Sequence, residues 1–191
     1  MNKTILEPSR EIEVIKETDV LVVGSGPGGL PAALSAARAG VDVTLVERFG
    51  CFGGNLTVVG VEGMHWYRHE ETVESDGICR EFEEKAIEMG AAVPESQSLS
   101  HEIDSEGFKL VADQLVSDEA NLYPMLHRSF VAPVMEGDTI KGIITESKSG
   151  REAILAKRVI DATGDADVTF RAGGLCHKTP TEEMMAASVM F

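Results

Sequence analysis

The sequence predicts an α/β domain built on a parallel central sheet. Three observations carry this. Thr18 to Val23 is a β-branched apolar run that stops at glycine, Leu30 to Arg38 is Ala-rich with apolar residues at helical spacing, and Val41 to Val46 is a second apolar run that stops at Glu47. A short strand that is apolar on both faces is how a buried parallel strand reads. Gly40 closes the intervening helix as a residue suited to left-handed backbone.

Between the first strand and the helix stands Gly24-Ser25-Gly26-Pro27-Gly28-Gly29. In a strand–turn–helix of this kind the first glycine permits the tight turn. The second lets backbone approach a pyrophosphate, and the third lets the helix pack closely on the strand. Here these are Gly24, Gly26 and Gly29. The helix end supplies free N–H groups and a positive dipole, so phosphates are held without lysine or arginine. Glu47, 23 positions after Gly24, stands where an acid accepts from an adenosine ribose. Strand, glycines, helix and acid together predict a Rossmann-like dinucleotide site.

NAD and FAD share the ADP half, so this pattern leaves the choice between them open. The stretch Arg48 to Thr57 holds three glycines, which suits backbone lying against a ligand. After an acidic middle third with a predicted helix from Asp104 to Asp118, a strand is expected around Tyr123 to His127. Short strands and turns follow from Phe130. Val131 to Met135, Thr139 to Thr145 and Glu152 to Ala156 are separated by Glu136-Gly137-Asp138 and Lys148-Ser149-Gly150, a three-stranded meander. It leads into an apolar strand that ends at Ala162-Thr163-Gly164. Two glycine turns bridged by a meander do not match a dehydrogenase layout.

Glu47, Gly50, Gly53, Gly54 and Thr57, followed by Asp161-Ala162-Thr163-Gly164-Asp165-Ala166-Asp167, resemble two motifs of the FAD-dependent oxidoreductases with the glutathione-reductase-type FAD fold. The resemblance runs from about Thr18 to Phe191. It implies FAD as cofactor and hydride transfer to or from the flavin. It implies that Gly24, Ser25, Gly26, Pro27, Gly28 and Gly29 cradle the pyrophosphate and that Glu47 binds the ribose, with Arg48 near the adenosine. Gly53, Gly54, Asn55 and Thr57 are implied as the loop running toward the flavin. Phe130 and Val131 are implied at the adenine, and Ala162, Thr163, Gly164 and Asp165 as the second phosphate-side turn. Such chains are about twice as long, so the resemblance also implies a fragment or one subunit of a split enzyme.

The expected organisation is an N-terminal extension over 1–17, an FAD-binding domain over 18–172 with a helical acidic insertion and return helix over 66–120, and the start of a substrate domain over 173–191. The chain has 191 residues, 17 Lys+Arg, 32 Asp+Glu and a formal charge of −15, with hydrophobic residues at 43%. Residues 61–120 hold 4 basic and 16 acidic residues, so −12 of the −15 falls there. No basic stripe exists to neutralise a phosphate backbone or an anionic membrane surface. The acidic runs Glu70-Glu71 and Glu81 to Lys85 read as a solvated helix face.

Met64 to His69 is the most chemically dense stretch, and it follows the loop expected at the flavin. His65, Tyr67 and Arg68 are therefore the candidates for a substrate-side proton donor or anion clamp. His65 and His69 lack a third ligand, so no metal is expected. Cys51 reads as a small buried residue, Cys176-His177 as no nucleophile, and Met184, Met185 and Met190 as packing. Three widely spaced cysteines suggest reduced thiols and a cytoplasmic protein. Met1 to Lys16 has no apolar core of a signal peptide, and no apolar run is long enough to span a bilayer. The remaining possibilities are an NAD(P)-dependent oxidoreductase, or a noncatalytic chain that binds FAD or ADP within a larger assembly or a homo-oligomer.

Overall fold

The computed structural model describes residues 3–63, 68–69, 73–96 and 101–189, with backbone alone at 68–69 and 73–74. In chain order the elements are β1 (Glu13–Val23), α1 (Gly29–Arg38), β2 (Val43–Val46), a 3-10 turn at Gly54–Leu56, and the pair β3 (Arg68–His69) and β4 (Val73–Glu74). Next come α2 (Ile78–Glu88), β5 (Ala92–Pro94), β6 (His101–Ile103), α3 (Ser105–Ser117) and β7 (Leu122–Met125). The chain continues through β8 (Ser129–Glu136), β9 (Thr139–Ser147), β10 (Gly150–Asp161) and α4 (Asp167–Arg171) to a 3-10 turn at Thr181–Glu183.

Six strands form the main sheet in the order β7-β2-β1-β10-β9-β8. The first four are mutually parallel, and β9 and β8 run antiparallel at the far side. The predicted last strand of the meander and the strand leading to Ala162 are one continuous β10. It holds β9 along Gly150–Leu155 and β1 from Glu152 to Asp161. The same pairing draws Glu13–Glu17 into β1, out of the N-terminal extension expected over 1–17.

Side chains of β1 alternate between two cores. Val20 and Val22 face α1 and α3, where Leu30, Ala33, Leu34, Phe108, Val111 and Leu115 are buried. Leu21 and Val23 face Ile143, Ile154, Met125 and Val168 on the meander side. The sheet thus separates two cores, one under the helices and one on the meander side. The acidic middle third contains α2 and α3, with two small strand pairs, β3–β4 and β5–β6, in addition to the expected helices. Glu83 departs from the solvated-face reading of Glu81 to Lys85, because it is 1% exposed and its Oε1 lies 2.7 Å from His101 Nδ1. Of the methionines expected to pack, Met184 and Met185 are 43% and 96% exposed, and Met190 lies outside the described residues. Among the described residues no helix is long and apolar enough to cross a membrane.

Candidate functional site

β1 is joined to β2 on one side and borders β10 on the other. The carboxyl ends of these three strands therefore frame a topological switch point, the place where open α/β sheets bind ligands. A cleft of about 630 Å³ opens there. It lies within the usual size range for small-molecule and cofactor sites. It gathers Gly24, Ser25, Gly26, Pro27 and Gly28 from the first turn, Glu47 and Arg48 from the end of β2, and Gly54 and Asn55 from the following loop. Phe130 of β8 and Ala162, Thr163 and Gly164 after β10 complete that set.

Glycine is required here for contact. Gly24 has φ +96°, and a Cβ on it would stand 2.3 Å from the Ala162 carbonyl oxygen. A Cβ on Gly29 would stand 1.9 Å from the Gly24 carbonyl oxygen, so α1 sits directly on the turn, and Gly29 serves packing instead of lining the cleft. Gly54 has φ +55°, and a Cβ there would stand 2.7 Å from Gly26 Cα. The two glycine loops are thus laid against each other. Among the described residues the N–H groups of Gly26, Gly28 and Gly29 have no intramolecular acceptor. With the α1 dipole they form an anion-accepting edge.

Several expected ligand residues are committed elsewhere. The Ser25 N–H and hydroxyl both donate to Glu47 Oε2, at 2.9 and 2.6 Å, and the Ser25 carbonyl accepts from the Gly53 N–H at 3.0 Å. Ser25 therefore has no donor left for a pyrophosphate. Glu47 is 5% exposed, and its Oε1 accepts from the Phe49 N–H at 3.0 Å. Thr57 is buried, and its hydroxyl donates to the Phe52 carbonyl at 2.6 Å, shaping the loop from behind. The Val131 carbonyl accepts from the Arg171 guanidinium, which also lies over the Phe130 ring. Gly53, Thr57, Val131 and Asp165 do not line the cleft. Cys51 is half-buried, less enclosed than expected. His65 and Tyr67 lie outside the described residues, as does the Arg68 side chain.

Sequence reasoning missed part of the wall. Phe49, Val58, Val59, Arg128, Asp161 and Thr169 also line the cleft. Arg128 pairs with Glu152, whereas the Arg48 guanidinium lies 4.7 Å from the centre of the Phe49 ring with no carboxylate partner among the described residues. Asp161 accepts from the N–H and hydroxyl of Thr163 at 3.2 and 2.7 Å, and from the N–H and hydroxyl of Thr169 at 2.8 Å each. Burial pushes the Asp161 carboxyl up, but the Thr169 and Thr163 donors outweigh it and hold the group below the usual carboxylate range. An aspartate two residues before a threonine, at the start of a turn of small residues, is the local signal that marks it.

The model of the family described as FAD dependent oxidoreductase matches residues 19–185. The chain belongs to this family. FAD is its cofactor. The glycine cradle fits that group, because Gly24, Gly29 and Gly54 leave no room for side chains while the N–H groups of Gly26, Gly28 and Gly29 stay open.

A digeranylgeranylglycerophospholipid reductase of Methanoculleus marisnigri is 29% identical over 182 residues, which cover 89% of this FAD dependent oxidoreductase chain and 44% of the relative. A thiamine thiazole synthase of Metallosphaera sedula is 32% identical over 159 residues, covering 78% and 55%. Among solved structures, a geranylgeranyl bacteriochlorophyll reductase-like protein of Thermoplasma acidophilum has a TM-score of 0.58 at 19% identity, covering 83% of this chain and 42% of its own. It shares the fold. The chain spans about half the length of the curated relatives it matches.

Proposed function

We propose that this chain is the FAD-holding part of an oxidoreductase that moves a hydride between a small-molecule substrate and the flavin. The observation that carries the proposal is the cleft at the strand ends, where the unpaired N–H groups of Gly26 and Gly28 and the N-terminal end of α1 meet beside Glu47. When bound, the flavin supplies the electron chemistry, and the protein supplies orientation and electrostatics. The N–H groups of Gly26 and Gly28, with the end of α1, donate to the pyrophosphate oxygens, which lets a chain of net charge −15 hold an anion. Glu47 accepts from the adenosine ribose, and Arg48 with Phe49 flanks the adenosine. Phe130 packs at the adenine end.

Gly54 and Asn55 lead toward the flavin, and Ala162, Thr163 and Gly164 close the opposite wall. Val58 and Val59, 38% and 51% exposed, give an apolar rim that excludes water from the reacting end. His65, Tyr67 and Arg68 serve the substrate side as proton donor or anion clamp. The substrate pocket is completed by protein outside these residues, in a second subunit, a second copy or further polypeptide. A cytoplasmic location is supported by the three unpaired cysteines, Cys51, Cys79 and Cys176.

A visible absorption spectrum of the purified protein tests the reading. Flavin bands that bleach under a reductant are expected, and a colourless protein that binds NAD would overturn it. Alanine at His65, Tyr67 or Arg68 is expected to lower turnover while those bands persist. Unchanged turnover in all three variants would remove them from the chemistry.

A further inference from the structure

Ser25 is fully buried, and each of its polar groups is used inside the chain. Its N–H and hydroxyl converge on one oxygen of Glu47, and its carbonyl holds the Gly53 N–H. A residue that cradled phosphate would need a free donor, and the free donors of this turn are those of Gly26, Gly28 and Gly29. What Ser25 governs is the carboxylate. An ionised carboxylate has about four acceptor positions. Ser25 fills two of them on Oε2, and the Phe49 N–H fills a third on Oε1. One position remains, on a side chain that lines the cleft. Three donors arriving from two segments fix the plane of the carboxylate, so the direction of the remaining position is fixed before any ligand arrives.

We propose that Ser25 is a positioning residue. It aims Glu47 at a hydroxyl of the adenosine ribose and, through Gly53, ties that acceptor to the loop running toward the flavin. This rests on the reading that Glu47 takes the ribose. A hydroxyl at position 25 matters because without it each oxygen keeps a single backbone donor, Ser25 N–H on Oε2 and Phe49 N–H on Oε1, a second acceptor position falls open on Oε2, and the carboxylate is held less firmly about its soft terminal bond. Preorganisation of this kind acts on the ligand group it faces and on no other.

The test is a cycle between protein and ligand. The 191-residue chain, freed of flavin, is titrated calorimetrically with ADP and with 2′,3′-dideoxy-ADP, as wild type and as Ser25→Ala. Wild type is expected to bind ADP about tenfold more tightly than the dideoxy analogue, the size of one good hydrogen bond to a charged group. Ser25→Ala is expected to weaken ADP binding about tenfold and binding of the analogue less than twofold. Equal losses for the two ligands would reduce Ser25 to a structural role and overturn the proposal, leaving the ribose reading of Glu47 intact. A wild type that binds both ligands alike, or neither, overturns the Glu47 reading, and the proposal falls with it. If Ser25→Ala unfolds, Ser25→Cys keeps the volume without the strong donor and is held to the same outcomes.

Discussion

Asp161 stands in the wall of the cleft, yet its two oxygens are filled by Thr163 and Thr169, so it braces the turn from inside. The sign of its pH dependence follows. A carboxyl held below its unfolded value contributes stability that is present above that value, about pH 3.9, and is lost as the pH falls through the folded value. Asp161→Asn is expected to lower the Tm at neutral pH, with the gap to wild type closing below about pH 4. A gap that stays constant from pH 7 to pH 3 would show that the charge plays no part. Glu83 shows the limit of reading single residues from sequence. It sits in a run of acids at helical spacing, and nothing local separates it from the exposed Glu84. In its buried place its Oε1 lies 2.7 Å from Nδ1 of His101, 18 positions away.

The helices α1, α2 and α3 are fastened together in two ways of unequal weight. Arg38, in the last turn of α1, donates to Glu81 of α2 at 2.6 and 2.7 Å and to Glu119 after α3 at 2.6 Å. Glu81 holds the guanidinium in its charged form, with Glu119 second, and in return Arg38 holds Glu81 below the usual carboxylate range. These pairs are partly exposed, and such pairs contribute about 0–1 kcal/mol each. Phe108 of α3 is fully buried and meets the Phe82 ring edge-on at 6.0 Å and 85°. Phe108→Ala is expected to cost about 3–5 kcal/mol, read from denaturant unfolding. Arg38→Ala is expected to cost less than half of that. If the order is reversed, the ion-pair hub and not the apolar layer fastens the helices. The return helix was legible because Asp104 caps it, accepting from the N–H groups of Glu106 and Gly107 at 2.9 and 3.1 Å. The strand pairs β3–β4 and β5–β6 were not, because strands of two or three residues carry no period.

Over the whole molecule, the glycine turns, the acid after β2 and the turn after β10 were legible because each is a local demand of backbone geometry. Phe49, Val58 and Arg128 were not, because the fold brings them to the cleft from loops whose sequence has no required pattern. The extent of β1 and β10 was also hidden. Each is stabilised by the other, through pairs from Glu13 with Glu152 to Val23 with Asp161, and neither pattern alone announces its length. These two strands act like a tuning fork whose shafts are bonded along their length, with Gly24 and Ala162 as the tips. The contact of Gly24 with Ala162 that forms one wall of the cleft is therefore gauged by a ladder of main-chain hydrogen bonds and not by the set of a loop. Substitutions that keep that ladder leave the wall in place, however much they change the surface.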